Sequence, residues 1–248
     1  MTPGSPPPRG AFTAAERRLI DRLRTPAAVQ RWLNSLPYNT EPPPGRATLR
    51  SFRGIVRHRT AHCFEAALAA AVVLEQHGYP PLVLSFESID ELDHVLFVYR
   101  HRGRWGSVAR SRDPGLHGRL PVFPTARALA LSYCDPYIDL TGRITGYAVV
   151  NLQVLGDYDW RLSERNVWRA ERLLLDWPHR PIRGSDARVN GLRRWYRAYR
   201  ETTGRKPVWE YAGTERWSEL PRAFARQRLL RISPPAAPRL RQSRSKSR

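Results

Sequence analysis

Nine consecutive apolar residues, Ala66 to Leu74, constrain this chain more than any other feature. The run is about half the length that crosses a bilayer. It is also apolar on every face, so it cannot be a surface helix and needs cover all round. Thr60 precedes it, and Gly78 and Pro80 follow it. These start and stop signals predict a helix over Cys63 to His77. The pattern then changes. Pro81 to Phe86, His94 to Tyr99 and Arg104 to Ala109 are short apolar runs rich in β-branched and aromatic residues. Each reads as a strand. An acidic turn, Glu87 to Asp93, joins the first two, and Arg100 to Gly103 makes a hairpin between the others. A buried helix followed by three antiparallel strands is an α+β arrangement.

The flanks read as helical. Thr13 with Glu16 forms a capping box ahead of Leu19, Ile20 and Leu23. Thr25-Pro26 opens a second helix with Val29, Trp32 and Leu33 on its apolar face. Pro42, Pro43 and Pro44 demand a loop, and residues 48–57 read as a connector. Further helices are expected over 124–133, 166–176 and 186–202, and a strand over 147–152. Trp195, Tyr196 and Tyr199 would be the packing face of the last helix, with Arg193, Arg194, Arg197 and Arg200 solvated. The expected division is a disordered leader, 1–12; a core with its N-terminal helices, 13–155; a helical basic region, 156–232; and a disordered Arg/Ser/Pro tail, 233–248.

Composition excludes several classes. Hydrophobic residues make up 41% of the chain, enough for a packed core. No apolar stretch reaches membrane-spanning length, and the Pro-rich start lacks the apolar region of a secretory signal. Cys63 and Cys134 are the only cysteines, which excludes a disulfide scaffold and favours a reducing, cytoplasmic setting. The net charge is +20, and only Lys206 and Lys246 among the 42 basic residues are lysines. From Arg222 onward there are nine basic residues and no acid, so weak, nonspecific polyanion binding is expected there. The arginine bias also fits GC-rich codon usage, and no nucleic-acid motif accompanies it.

Cys63 falls at the start of the apolar helix, where free N–H groups and the dipole favour a thiolate. His94 opens the second strand. A thiol at a helix start and an imidazole on the adjacent sheet make a nucleophile and its base. Each alone is equally readable as core: Cys63 as a small buried residue, His94 as a satisfied histidine. A hairpin centred near Arg102 sets Arg110 or Ser111 opposite His94, with Ala109 beside them. Asp113 is the nearest downstream carboxylate, and Asp93 should point to the other face. Cys63, His62 and His94 lack a fourth ligand at zinc spacing, so no metal is expected.

The runs Ala61-His-Cys-Phe-Glu-Ala-Ala-Leu68, Asp93-His-Val-Leu-Phe-Val-Tyr99 and Gly103-Arg-Trp-Gly106 resemble the transglutaminase-like superfamily, closest to an uncharacterised bacterial branch. The pieces at 24–39 and 131–137 are similar too, and the resemblance spans 13–155. It implies a papain-like core: a Cys-bearing helix packed on a small antiparallel sheet, here with helical N- and C-terminal extensions. Cys63 and His94 match the first two catalytic positions, while Ala109 stands where the family acid falls. Ser111 or Asp113 would then orient the imidazole. Arg57 and His58 lie at the distance before Cys63 where such a site holds an oxyanion donor, and Trp105 is core or a wall behind His94. The implied activity is thiol-dependent acyl chemistry on a peptide or amide substrate, by a cysteine peptidase, amidase or acyltransferase, with no cofactor. The alternative is a catalytically degenerate binding module.

Overall fold

The computed structural model describes residues 4–41, 47–91, 94–204, 211 and 213–225. The helices are α1 (Ala14–Arg22), α2 (Pro26–Ser35), α3 (Phe52–His58), α4 (Cys63–Glu75), α5 (Ala126–Tyr137), α6 (Trp168–Asp176), α7 (Asp186–Thr203) and the short α8 (Arg222–Ala225). The strands are β1 (Leu82–Ser88), β2 (Val95–His101), β3 (Arg104–Val108), β4 (Arg119–Phe123), β5 (Ile144–Asn151) and β6 (Arg180–Pro181). They form one antiparallel sheet in the order β4-β3-β2-β1-β5-β6. The architecture is α+β.

Strand alternation gives the sheet two apolar faces. Val83, Phe97, Tyr99 and Val150 face α4, and Leu84, Phe86, Leu96 and Val98 face α5. The apolar run of α4 is buried along its whole length, under α2, α3 and the sheet. The β2–β3 hairpin pairs Phe97 with Val108 and turns through Arg102 and Gly103, both at positive φ. Positive φ at both central residues is the turn that matches strand twist.

Local chemistry sets the helix starts. The Thr13 hydroxyl accepts from Glu16 N, and Glu16 Oε2 accepts from Thr13 N at 2.7 Å. Glu16 is buried and takes two bonds from Arg53 of α3. Burial pushes the Glu16 carboxyl up, but Arg53 and Thr13 outweigh it and hold it below its ordinary value.

Several expectations are corrected. The connector at 48–57 contains α3, begun by the Ser51 hydroxyl accepting from Gly54 N. Strand β4 was not expected at all. The leader is not loose over its described part: Pro7 O accepts from Gln76, and Gly4 O accepts from Arg161. Arg161 is buried and also makes a two-pronged bond to buried Glu75 at the end of α4. Trp160, Leu162, Val167 and Leu174 belong to the same apolar cluster as α4, so the boundary expected at 155 crosses a shared core. Trp195, Tyr196 and Tyr199 are buried on α7. No helix among the described residues is long and apolar enough to cross a membrane. Asp93, Pro42 to Pro44 and the tail beyond Ala225 lie outside the described residues.

Candidate functional site

Cys63 is the first residue of α4, where backbone N–H groups have no partner within the helix. Buried Glu65 fixes that end. Its Oε2 accepts from His62 N and Asn39 Nδ2, both at 3.1 Å. Its Oε1 accepts from Arg50 N at 3.1 Å and the Thr48 hydroxyl at 3.0 Å. One carboxylate therefore ties the start of α4 to the segments at 39 and 48–50.

Two imidazoles act on the Cys63 sulfur, those of His62 and His94. His94 is buried at the entry to β2, its ring parallel to Phe86 at 6.4 Å. Its Nε2 donates to the Leu116 carbonyl at 2.9 Å, which leaves Nδ1 for the thiol. His62 Nε2 donates to the Thr48 carbonyl at 2.7 Å. Burial pushes the Cys63 thiol up, but the bonds from His62 and His94, and their charges, hold it well below its ordinary value. Burial pushes His62 down; the Cys63 sulfur and the Glu65 carboxylate outweigh it and bring His62 up to about 9.

The backbone N–H of Cys63 meets the Tyr38 hydroxyl. Tyr38 arrives through a two-residue bridge to Ala61: Asn39 N donates to Ala61 O at 3.2 Å, and Ala61 N to Pro37 O at 3.4 Å. The Arg110 guanidinium lies 5.7 Å from the centre of its ring. Burial, then the Cys63 charge, push the Tyr38 hydroxyl up, so it stays a proton donor. A cavity of about 440 Å³ opens over Cys63, lined among others by Tyr38, Glu41, His62, Arg112 and Glu171.

The sequence-selected residues divide sharply. Cys63 and His94 meet. Ser111 and Asp113 do not supply the group on His94 Nε2; the Leu116 backbone carbonyl does. Ser111 Oγ instead accepts from Asp113 N at 3.0 Å. Ala109 is fully buried, and the Gln30 side chain bonds both its N–H and its C=O, at 3.0 and 2.8 Å. Arg57 and His58 are exposed at the end of α3, and neither lines the Cys63 cavity. His58 lines a separate groove between α1, α2 and α3. Trp105 packs at the edge of the α5-side cluster under the Arg100 guanidinium, away from the cavity. Sequence reading missed Tyr38, the pairing of His62 with the sulfur and the Leu116 carbonyl. Tyr38 was visible in the Pro-Tyr-Asn that ends the flanking piece at 24–39; a backbone carbonyl leaves no signature.

No protein-family model matches the chain, and no curated protein sequence does. Three solved structures of LapG from Legionella pneumophila align with it, one of them EGTA-treated and one calcium-bound. Identity is 13, 14 and 13%, covering 60, 61 and 66% of this chain and 85, 90 and 94% of theirs. The TM-score is 0.33 in each case.

Proposed function

We propose that this chain is a transglutaminase-like cysteine enzyme acting on amides, by hydrolysis or by transfer to an amine. The observation that carries this is Cys63 at the N-terminus of α4 under an open cavity, with His62 beside it and His94 oriented by the Leu116 carbonyl; the two imidazoles hold the thiol well below its ordinary value. A thiolate, not a thiol, is the nucleophile.

The Cys63 sulfur attacks the amide carbonyl and forms a C–S bond. The carbonyl oxygen takes the negative charge beside the Tyr38 O–H, whose own oxygen accepts from the Cys63 N–H. His94 Nδ1, holding the proton taken from the thiol, passes it to the departing amine as the C–N bond breaks. Water or a second amine then gives a proton to His94 and attacks the thioester, and the sulfur leaves as thiolate. The Leu116 carbonyl holds the imidazole in the required tautomer through Nε2.

That same carbonyl favours a second reading. A carboxylate on the imidazole stabilises the imidazolium as well as orienting it, and its loss costs about 10⁴-fold in a serine protease triad. A chain with only a carbonyl there can serve as a binding module.

A thiol-reactive acyl probe separates the two. The wild type should label at Cys63 with an apparent pKa well below the free-thiol value of about 8.5, and Cys63→Ala should not label. Tyr38→Phe should lower acyl transfer to the thiol by about 10²–10³-fold, the loss seen on removing one oxyanion donor. Its iodoacetamide alkylation, which forms no oxyanion, should persist. Labelling with an ordinary thiol pKa would leave the binding-module reading.

A further inference from the structure

Among the described residues, three acidic side chains, Glu41, Glu91 and Glu171, line the Cys63 cavity of a chain whose net charge is +20. Their arrangement is not symmetrical. Glu41 and Glu171 lie on the His62 side: Glu41 Oε1 is 3.8 Å from His62 Nε2, and Glu171 interacts electrostatically with both His62 and Glu41. Arg112 also lines the cavity, and it and Asp113 interact electrostatically with the Tyr38 hydroxyl. The end of the cavity beside His62 thus carries two carboxylates, Glu41 and Glu171.

The acidic end has an apolar wall. Leu174 and Leu175 follow Glu171 by three and four residues on α6, so all three share one face of that helix. All three line the cavity, together with Val95. A carboxylate one helical turn from an aliphatic surface fits a ligand with an apolar stem and a cationic head.

We propose, on the reading of Cys63 as a nucleophile, that the cavity selects amides carrying a primary ammonium or guanidinium on an aliphatic stem next to the reacting carbonyl, with Glu171 and Glu41 receiving the cation. Two carboxylates set close together repel. Burial, and then Glu41, push the Glu171 carboxyl up against the pull of His62, and a bound cation relieves that strain. Glu41 is already held by the Thr48 N–H and hydroxyl, so it presents a fixed charge. Distant arginines do not cancel this preference, because at physiological salt charges beyond about 8 Å are largely screened.

The test uses three methanethiosulfonates of similar reach: 2-aminoethyl, n-propyl and 2-sulfonatoethyl. In each, the Cys63 sulfur bonds to the reagent's sulfenyl sulfur, and methanesulfinate leaves with the electron pair of the broken S–S bond. Rates are measured on full-length protein carrying Cys134→Ala and normalised to free cysteine. The cationic reagent should outrun the anionic one by about tenfold or more, the effect of two nearby carboxylates at intermediate dielectric. Glu171→Gln should lower that ratio about threefold or more, and Glu171→Lys should lower it further. The ratio is independent of how much thiolate is present. A wild-type ratio near one, or unchanged ratios in both Glu171 variants, overturns the cationic selectivity even when the neutral reagent reacts quickly. A neutral reagent no faster than on free cysteine, with an ordinary thiol pKa, overturns the nucleophile reading instead.

Discussion

At the scale of single residues, Cys63 and His62 shift each other's titration in opposite directions, and the pair has a definite pH signature. His62 is raised to about 9 against an unfolded value of about 6.5. Its contribution to stability is full below about 6.5 and is lost as pH rises through about 9. Cys63 is lowered from an unfolded value of about 8.5, so its contribution is full above that value and is lost as pH falls through its folded one. Counting protons, the unfolded pair holds two below about 6.5, one up to about 8.5 and none above, while the folded pair holds one until His62 loses it at about 9. Stability from the pair therefore rises from acid to about 6.5, is level to about 8.5 and then falls. The groups facing the pair, His94, Glu41, Glu65 and Glu171, remain in a Cys63→Ala variant. The difference in Tm between wild type and Cys63→Ala should be widest on that plateau and shrink on both sides. A difference independent of pH would show that the sulfur is an uncharged thiol.

At the scale of elements, α4 is held at both ends by buried carboxylates, Glu65 at its start and Glu75 at its end. Glu75 takes bonds of 2.7 and 3.0 Å from Arg161, whose guanidinium also lies 4.3 Å from the Trp160 ring. Burial pushes the Glu75 carboxyl up, and Arg161 only partly offsets it. Breaking a buried pair leaves one charge unmet, at about 3–5 kcal/mol. Glu75→Gln should lower Tm on the order of 10 °C, at about 2–4 °C per kcal/mol for a chain of this size. Glu75→Gln with Arg161→Met should regain part of that loss, because no charge is then stranded. Equal melting of Glu75→Gln and wild type would show that water reaches the pair. Helix α4 was legible in the sequence because nine apolar residues admit one reading. Strand β4 was not, because it inverts the usual alternation: Arg119 points inward, while Leu120 and Val122 are exposed. Arg119 is accepted there because its guanidinium bonds the carbonyls of Gly115 and His117 and lies between Tyr133 and Trp217, at 4.0 and 4.7 Å. Helix α3 is seven residues with Gly54 near its middle, too short for periodicity to show. The leader was misjudged because proline lacks a donor but keeps its acceptor, and Pro7 uses it. In the site, the proposed nucleophile and base, Cys63 and His94, were chosen from residue type and order. Their supports came through backbone groups and residues tens of positions away, which spacing does not encode.

At the scale of the whole molecule, the excess of 42 basic over 22 acidic residues sets a self-repulsion that contacts alone do not reveal. Many arginines have no carboxylate to meet, and several of the pairs that form are exposed, such as Arg143 with Asp186 and Arg172 with Asp176. Exposed pairs contribute little, about 0–1 kcal/mol each, and salt weakens them. Repulsion among the unmatched charges outweighs these pairs, and salt weakens it too. The Debye length shrinks from about 30 Å at 0.01 M to about 10 Å at 0.1 M. Tm should therefore rise as salt is raised over that range, the reverse of what a fold held by surface ion pairs would do. Deleting residues 226–248 removes eight basic residues and no acid, so the truncated chain should show a shallower rise. RNA retention should fall steeply with salt in the full chain, as released counterions require, and should weaken at every salt on truncation. Cys63 reactivity should be the same in both chains, since the described residues that hold its sulfur all precede residue 117. Melting that falls with salt would mean that attractive pairs outweigh the net charge. Cys63 reactivity that changes on truncation would mean that the basic end reaches the acidic mouth of the cavity, where Glu171 and Glu41 stand.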